Sequence, residues 1–381
     1  MTCPLRIGID GRGILKSIDG VGRYSLNLIR NLAAIDSVNQ YFILKNTWIE
    51  RKIVDAPNFH VINVDSRHLS LRTVFTIPLL TKNFHLDVFH SPFFVSPLWG
   101  TKNLIVTVHD LMAITFPGFF GGRSYVKEKV AYLYHRVFVP LSIKRAKRII
   151  AVSQSTKKSL IERFHIDPEK ISVIYEAVDD HFKRDYAKTE IEGFKRAQRL
   201  PEKFFLYVGN MKPYKNIPLI ISALEILKRG NMLKHKFIIA GRKDRFFPSI
   251  YGIVKDKRLL DDVIFLDYVS DNELPLLIKC ADVFVFPSLG EGFGLPPLEA
   301  ISLGVPTIVS NATSLPEVVG DGAIIVDPHN PEKLAQAIAY LLKDEDLRKK
   351  LSQKGIDRSK AFSWRKTAEN TIEVYKAIVK E

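Results

Sequence analysis

Residues 283–300 read VFVFPSLGEGFGLPPLEA. The first four, Val283–Phe286, are apolar on both faces, which is typical of a strand covered by helices on each side of a parallel sheet. A glycine-containing loop follows, and Pro296 and Pro297 suit the first turn of a helix, where their missing N–H groups cost little. The stretch therefore predicts a strand, a loop and a helix of an α/β sheet.

Strand-forming runs alternate with amphipathic helical stretches along the whole chain. The predicted strands of the first half are Leu5–Asp10, Tyr41–Lys45, His60–Val64, Asp87–His90, Leu104–His109, Arg148–Ser153 and Ile171–Tyr175. Those of the second half are Phe204–Val208, Lys236–Ala240, Val263–Leu266, Val283–Pro287, Thr307–Ser310 and Ala323–Val326. Helices are predicted between them, for example at Gly22–Ile35 and Val126–Lys144. The alternation predicts an α/β fold with two Rossmann-like, doubly wound parallel-sheet domains.

The length of 381 residues exceeds what one hydrophobic core usually supports, which also favours two domains. The polar segment Asp179–Lys203 interrupts the hydrophobic periodicity and is predicted to contain the boundary between the two domains. We place the first domain at residues 1–185 and the second at 186–362.

The net charge of +15 is concentrated in the first half, where residues 1–190 hold 27 Lys/Arg against 17 Asp/Glu. A basic surface of this kind can bind an anionic partner, such as a phospholipid surface, a pyrophosphate-linked lipid or nucleic acid. The alternative is a solvated basic face without a partner. No RNA-binding aromatic signature or helix-turn-helix pattern is present, so no nucleic-acid partner is expected. The stretch Tyr125–Arg148 is basic and amphipathic, and either lies on anionic lipid or packs on the domain.

The cysteines and the hydropathy pattern bear on the compartment. Cys3 and Cys280 are far apart and match no metal-ligand spacing, which favours a reducing cytoplasm. No run approaches the roughly 18 apolar residues of a membrane-spanning helix. We expect a cytoplasmic protein, with peripheral contact to the inner face of the cytoplasmic membrane as a further hypothesis.

Two features of the first half are candidates for ligand binding. Gly20 and Gly22 open a helix after the first strand, where backbone N–H groups can approach an anion, although a plain turn gives the same pattern. His109 stands at the carboxyl end of a strand, where ligands of open α/β sheets bind. It either contacts a ligand or is a hydrogen-bonded structural histidine.

Two features of the second half are further candidates. The loop Val208–Asn216 ends in Lys215 at a predicted helix start, which suits a diphosphate, although an exposed surface lysine is the common alternative. Glu291 lies on the loop after Val283–Pro287, and Glu299 follows about two helical turns later. Two carboxylates can accept hydrogen bonds from hydroxyls at separate points of one ligand.

With these features the chain resembles family 4 of the retaining glycosyltransferases. Members of that family have the GT-B fold, in which two Rossmann-like domains face a central cleft. The resemblance rests on the order and spacing of several motifs over nearly the whole chain. They are Asp19-Gly20-Val21-Gly22, Val108-His109-Asp110-Leu111, Ala151-Val152-Ser153, Gly209–Asn216, Glu291–Glu299, Ser314-Leu315-Pro316-Glu317-Val318 and Phe362-Ser363-Trp364. It also implies that a closing helix, about Ser363–Val379, returns to the N-terminal domain.

The resemblance implies catalytic roles for three residues. His109 faces the donor sugar near its reacting carbon, Lys215 neutralises the departing diphosphate, and Glu291 holds sugar hydroxyls. The implied donor-binding residues are Gly20 and Gly22 beside the diphosphate, Phe293, Gly294 and Leu295 through their backbone N–H groups, and Glu299 at the ribose. Many relatives have an arginine where this chain has Asn210, and Lys212 is expected to compensate for its charge.

The expected reaction is a sugar transfer with retention of anomeric configuration. No Asp-x-Asp element stands in a metal-binding context, so we expect protein cations in place of Mg²⁺ and neither a metal nor a cofactor. The motifs look most like bacterial-type mannosyltransferases of polysaccharide assembly, which implies GDP-mannose as donor and a glycan or lipid-linked oligosaccharide as acceptor. UDP-glucose, UDP-N-acetylglucosamine and dTDP-rhamnose are alternative donors.

Three other classes of protein fit the sequence less well than a family 4 glycosyltransferase. An NAD-dependent oxidoreductase lacks its complete G-x-G-x-x-G here, because Ser25 takes the third glycine position. A sugar-nucleotide epimerase shares the GT-B architecture, but the Glu291–Glu299 element favours transfer. A non-enzymatic binder of anionic surfaces would account for the charge alone.

Overall fold

The structure, a computed structural model, describes residues 4–15, 20–66, 70–116, 118–121 and 125–380. Its strands are β1 Arg6–Asp10, β2 Gln40–Asn46, β3 Phe59–Val64, β4 Val88–Ser91, β5 Leu104–Val108, β6 Arg148–Ala151, β7 Ile171–Val173, β8 Phe204–Val208, β9 Lys236–Ala240, β10 Val263–Leu266, β11 Val283–Phe286, β12 Thr307–Ser310 and β13 Ile324–Val326. Cys3 and Asp19, which the sequence singled out, lie outside the described residues.

The helices alternate with these strands along most of the chain. They are α1 Gly20–Ile35, α2 Leu71–Lys82, α3 Met112–Thr115, α4 Tyr125–Arg145, α5 Gln154–Phe164, α6 Lys188–Ala197, α7 Ile217–Arg229, α8 Phe247–Asp256, α9 Leu274–Lys279, α10 Leu295–Ser302, α11 Leu315–Val319, α12 Pro331–Lys343, α13 Glu345–Ser359 and α14 Trp364–Lys380. Short 3₁₀ helices are Gly11–Gly13, Pro168–Lys170, Asp180–Phe182 and Pro213–Lys215. Among the described residues, no helix is both long and apolar enough to cross a membrane.

The chain forms two compact units. Unit 1 consists of Met1–Ile114, Lys129–Ala177 and Phe362–Glu381, and unit 2 of Thr115–Glu128 and Val178–Ala361. The sequence pattern placed the change of domain at residue 185, whereas the units change at Ala177–Val178. The reason is local, because Phe182 is fully buried and its carbonyl accepts a hydrogen bond of 3.0 Å from Ser302 Oγ on α10.

Unit 1 contains a seven-stranded sheet within the described residues, in the order β3-β2-β1-β4-β5-β6-β7. Each pair of neighbouring strands is parallel. Strands β4 and β5 are buried along their whole length, as expected for strands covered on both faces. Helix α14 packs against α1, so the last helix of the chain completes this unit.

Unit 2 contains a six-stranded sheet within the described residues, in the order β10-β9-β8-β11-β12-β13, again with parallel neighbours. In both sheets the strand order reverses between the first and fourth strands, which are β1 and β4 in unit 1 and β8 and β11 in unit 2. Open α/β sheets bind ligands beyond the carboxyl ends of the strands at such a reversal. The two doubly wound sheets expected from the sequence are confirmed.

Candidate active site

Lys215 and Glu291 follow the two strands at which the sheet of unit 2 reverses its order. Lys215 ends the 3₁₀ helix after β8, and Glu291 lies on the loop after β11. Lys215 Nζ lies 2.7 Å from Glu291 Oε1, and the side chains are only 9% and 13% exposed. The ammonium also lies over the rings of Phe286 and Tyr214, at 4.9 and 5.1 Å from their centroids. These surroundings keep water from much of the pair, which strengthens its electrostatic field.

The backbone conformation of Asn216 fixes the position of Lys215. Asn216 adopts the left-handed conformation with φ of 58°, which asparagine tolerates better than most residues. Its side-chain amide donates to the carbonyl of Pro287, at 3.1 Å, and to that of Pro328, at 2.8 Å. The lysine loop is thereby attached to the ends of β11 and β13.

Thr313 and Ser314 hold the backbone of Glu291. The Glu291 N–H donates to Thr313 Oγ1 at 2.8 Å, and the Thr313 hydroxyl donates back to the Glu291 carbonyl at 2.9 Å. Ser314 Oγ donates to the carbonyls of Glu291 and Phe293, at 3.0 and 2.8 Å. Thr313 has a φ of 49°, an uncommon conformation for a β-branched residue and one often found at functional sites.

The loop then turns into α10 at Gly294. Gly294 has a φ of 110°, and a Cβ there would lie 2.8 Å from Leu315 Cδ2, so a side chain is disfavoured twice. Pro296 and Pro297 carry no N–H, so this helix start can offer a ligand only the N–H of Leu295 and those before it. Glu299 lies inside α10 and is buried, at 3% exposed.

The loop after β8 contains Asn210 and Lys212. The Asn210 carbonyl accepts a hydrogen bond of 2.7 Å from Tyr207 OH, and Asn210 Oδ1 accepts one of 3.3 Å from the Lys212 N–H. Lys212 Nζ lies 3.7 Å from the ring centroid of Phe119, a residue of the Thr115–Glu128 segment that belongs to unit 2. The predicted compensating charge therefore lies against an aromatic ring.

Gly20 and Gly22 lie in the first turn of α1, after β1 in unit 1. A Cβ at Gly20 would meet no atom of the described chain within 4 Å. Packing within the described residues therefore does not explain this glycine.

His109 follows β5, and both of its ring nitrogens contact groups of unit 1. Nδ1 lies 2.7 Å from Glu176 Oε1, and Nε2 lies 3.1 Å from the carbonyl oxygen of Pro92, just after β4. The rings of Tyr24 and His109 pack edge to face, with centroids 4.7 Å apart. Burial opposes the charged form of His109, but the hydrogen bond and charge of Glu176 outweigh it and raise its pKa. His109 thus has a structural partner that the sequence did not reveal.

A second buried histidine lies beside the first. His90 Nδ1 lies 2.7 Å from Tyr375 OH on α14, and its Nε2 lies 2.7 Å from Thr107 Oγ1 on β5. Burial, reinforced by the charge of His109, lowers the pKa of His90 to about 3. His90 is therefore neutral, and it joins the closing helix to the sheet.

The structure brings Lys215 and Glu291 together in unit 2, and it places Gly20, Gly22 and His109 in unit 1. Their catalytic and donor-binding roles, like those of Asn210, Lys212, Phe293, Gly294, Leu295 and Glu299, stay predictions. The sequence pattern did not indicate Glu176, Thr313 and Asn216 as supporting residues. Only Asn216 carried a local signal, because asparagine between a short loop and a helix is typical of the left-handed conformation.

Two family models match the chain. One, described as glycosyl transferases group 1, matches residues 188–358, and the other, described as glycosyltransferase family 4, matches residues 18–182. Among curated proteins, the chain is 28% identical to O-antigen chain mannosyltransferase B of Escherichia coli, over 95% of this chain and 97% of that one. It is 34% identical to O-antigen chain mannosyltransferase RfbU of Salmonella typhimurium, over 62% of this chain and 60% of that one.

A solved structure, a glycosyltransferase from Rickettsia africae, superposes with a TM-score of 0.74 over 99% of both chains at 20% identity. The two parallel-sheet units and this likeness show that the chain has the GT-B fold. Together with the two family matches, they place it in family 4 of the retaining glycosyltransferases. These matches do not favour an oxidoreductase, an epimerase or a non-enzymatic binder.

Proposed function

We propose that this enzyme transfers mannose from GDP-mannose to a glycan or lipid-linked oligosaccharide, with retention of configuration at the anomeric carbon. Mannose is supported by the two relatives, both of which are named O-antigen chain mannosyltransferases. UDP-glucose, UDP-N-acetylglucosamine and dTDP-rhamnose are the competing donors.

The observation that carries the proposal is the Lys215–Glu291 ion pair. An ammonium group has three N–H donors, and among the described residues only Glu291 Oε1 accepts a hydrogen bond from Lys215. Lys215 therefore retains donors for phosphate oxygens without breaking the pair. A carboxylate likewise has acceptor sites on both oxygens, so Glu291 can receive sugar hydroxyls while paired.

The reaction breaks the bond between the anomeric carbon and the β-phosphate oxygen, and the bonding electrons leave with GDP. The acceptor hydroxyl forms the new bond on the same face of the sugar, and its proton passes to the departing phosphate. Negative charge grows on the diphosphate as positive charge grows on the sugar ring. A positive charge already in place at the diphosphate stabilises this state without reorganisation.

Protein groups are proposed to take the place of a metal ion at the diphosphate. In unit 2, Lys215 and the start of α10 at Leu295 supply positive charge or N–H donors, and in unit 1 the first turn of α1 at Gly20 and Gly22 is proposed separately as an anion-binding backbone. We expect turnover to be unchanged by EDTA, and a need for added Mg²⁺ would contradict this part of the proposal.

A donor screen tests the proposed substrate. Purified enzyme is incubated with GDP-mannose and with each of the three competing donors, and release of the nucleoside diphosphate is measured with and without EDTA. We expect release from GDP-mannose alone. Release from another donor only would replace mannose by that sugar, and release from none would contradict the proposed function.

We also propose that the acceptor is reached at an anionic membrane surface. Helix α4 exposes an apolar stripe, which consists of Val130, Leu133, Val137 and Leu141, at 63%, 60%, 42% and 45% exposure. Their spacing of three and four residues places them on one side of the helix. Exposed lysines and an arginine flank the stripe on the same helix, at Lys129, Arg136 and Lys144.

The loop after β4 extends this surface. Trp99 is 41% exposed, and its loop is attached to α4 because Arg145 donates to the carbonyls of Leu98 and Thr101, both at 2.5 Å. Phe75 and Leu79 on α2, both more than half exposed, lie on the helix whose Pro78 packs against Gly100. Apolar side chains with basic neighbours suit insertion into an anionic lipid surface.

Vesicle sedimentation tests this contact. We expect the enzyme to sediment with vesicles containing phosphatidylglycerol and to remain in solution with phosphatidylcholine alone. Leu133→Glu should abolish sedimentation, whereas Tyr340→Glu, at a 56% exposed position of unit 2, should not. Equal sedimentation of the wild type with both vesicles, or of Leu133→Glu with the anionic ones, would overturn the proposal.

A further inference from the structure

Glu176 is a buried carboxylate to which neither the family motifs nor the proposed donor contacts assign a role. It is 4% exposed, and its Oε1 lies 2.7 Å from His109 Nδ1. It is 67 residues away from His109 in the chain and follows β7, so the contact is made by the fold. Burial of a carboxylate is costly unless a partner compensates its charge.

The two contacts of His109 fix its protons. A carbonyl oxygen only accepts, so the 3.1 Å contact with Pro92 requires a hydrogen on Nε2. An ionised carboxylate also only accepts, so the 2.7 Å contact with Glu176 requires a hydrogen on Nδ1. With a hydrogen on each nitrogen the ring is an imidazolium, and both of its N–H groups are directed at the protein.

We propose that Glu176 is a positioning residue for the sugar transfer, which holds the His109 ring in one orientation as a cationic imidazolium. This inference rests on the proposed function and deepens it. Because both N–H groups are engaged, His109 acts as a fixed positive charge beyond β5, and not as a proton donor to the sugar. A fixed positive charge that acts on the diphosphate favours the state in which the diphosphate becomes more negative.

The other charged and titratable groups near His109 are compatible with this arrangement. Asp110, the next residue, favours the cation, and burial together with the charge of His109 lowers the pKa of His90, so His90 is neutral. Tyr24 packs edge to face with the imidazole, and burial raises the pKa of the Tyr24 hydroxyl, so Tyr24 stays neutral. Glu176 is thus the charged group in direct contact with the ring among the described residues.

The first test measures protonation and needs no turnover. Nitrogen-15 NMR of histidine-labelled enzyme distinguishes an imidazolium from a neutral ring, and the spectrum of His109→Gln assigns the signal among the ten histidines. We expect the wild-type His109 ring to carry both protons at pH 7 and to lose one only at higher pH. In Glu176→Gln, loss of the proton from the His109 ring should occur at lower pH. Glu162→Gln is an exposed control on α5, and there the His109 ring should lose its proton at the same pH as in the wild type.

The second test follows GDP-mannose hydrolysis between pH 6 and 8. For Glu176→Gln we expect roughly a tenfold to hundredfold loss of kcat/KM at pH 8, recovered in part at pH 6 as the ring regains its proton. Glu176→Asp keeps the charge and should restore the wild-type pH profile. An unchanged His109 titration in Glu176→Gln overturns the inference even if hydrolysis fails altogether, and an altered titration with an unchanged rate profile overturns the catalytic part.

Discussion

Lys215 Nζ and Glu291 Oε1 lie 2.7 Å apart, although they follow different strands and are 76 residues apart in the chain. The strands β8 and β11 are neighbours at the reversal of the sheet order, and this arrangement brings the two side chains together. The pair is held from both sides, by Asn216 behind the lysine and by Thr313 behind the glutamate. Unit 2 thus offers a positive and a negative group at one point, and the proposed function assigns them to the diphosphate and to the sugar hydroxyls.

The ion pair predicts a specific pattern of stability. Lys215→Met should lower the free energy of unfolding of unit 2 by about 3 kcal/mol, because it leaves the Glu291 carboxylate without its partner. Adding Glu291→Leu should recover most of that loss, because two apolar groups replace the two charges. All three tryptophans, Trp48, Trp99 and Trp364, belong to unit 1, so tryptophan fluorescence follows unit 1 alone. Circular dichroism follows both units, and a transition seen by circular dichroism without a change in fluorescence reports unit 2.

If the double variant lost as much free energy of unfolding as the sum of the losses in Lys215→Met and Glu291→Leu, the two side chains would not stabilise each other as an ion pair. Lys228→Met is the matched control, because its 2.7 Å pair with Asp262 is partly exposed and should contribute little to stability.

Gly20→Ala separates ligand approach from packing. The added methyl would meet no described atom within 4 Å, and alanine favours a helix more than glycine, so the thermal midpoint should be unchanged or higher. Activity should nevertheless fall if the diphosphate approaches this backbone closely, because the methyl would separate them. Gly252→Ala in α8 has equal space, so its thermal midpoint should likewise be unchanged or higher, and its activity should be unchanged. Full activity in Gly20→Ala would remove this glycine from the donor site.

The Thr313 hydroxyl should control the position of Glu291. Thr313→Val keeps the side-chain shape but loses both hydrogen bonds to the Glu291 backbone, so we expect about a tenfold fall in kcat/KM, mainly through a higher KM for the donor. Thr313→Ser keeps the hydroxyl and should retain most of the activity. Equal kinetics for the two variants would show that this contact does not position the carboxylate.

The buried His90 predicts that unit 1 weakens in acid. Its pKa is about 3 in the folded protein and about 6.5 in an unfolded chain, so its contribution to stability is complete above pH 6.5 and decreases as the pH falls towards 3. Between pH 7 and pH 4 the loss should be roughly 3 kcal/mol. Tryptophan fluorescence measures it directly, and His90→Gln should show a smaller loss. If the wild type and His90→Gln lost the same stability between pH 7 and pH 4, protonation of His90 would not be the cause.

The fold was readable from the sequence because the strands are apolar runs with regular helices between them. Differences arise at strand ends, where local hydrogen bonds decide. The predicted strand Arg148–Ser153 ends at Ala151 because Ser153 is the N-cap of α5, with its Oγ accepting the Thr156 N–H at 3.0 Å. The assignment of Thr115–Glu128 to unit 2 had no signal in the periodicity.

The candidate site was readable only where a motif was local. The loops containing Lys215 and Glu291 carried glycine and proline signals, whereas Glu176 and Thr313 are supporting residues distant in sequence from those they hold. A carboxylate 67 residues beyond His109 has no local pattern that distinguishes it from a surface glutamate. Contacts of this kind depend on the packing of neighbouring strands and become visible only in the folded chain.

Hydrolysis of GDP-mannose by the wild type, Lys215→Met, Glu291→Gln and the control Lys228→Met tests the central claim most directly. We expect the wild type and Lys228→Met to release GDP at similar rates, and kcat to fall by about a hundredfold in Lys215→Met and in Glu291→Gln. Retention of wild-type turnover by both of those variants, with the fold intact by circular dichroism, would contradict the account.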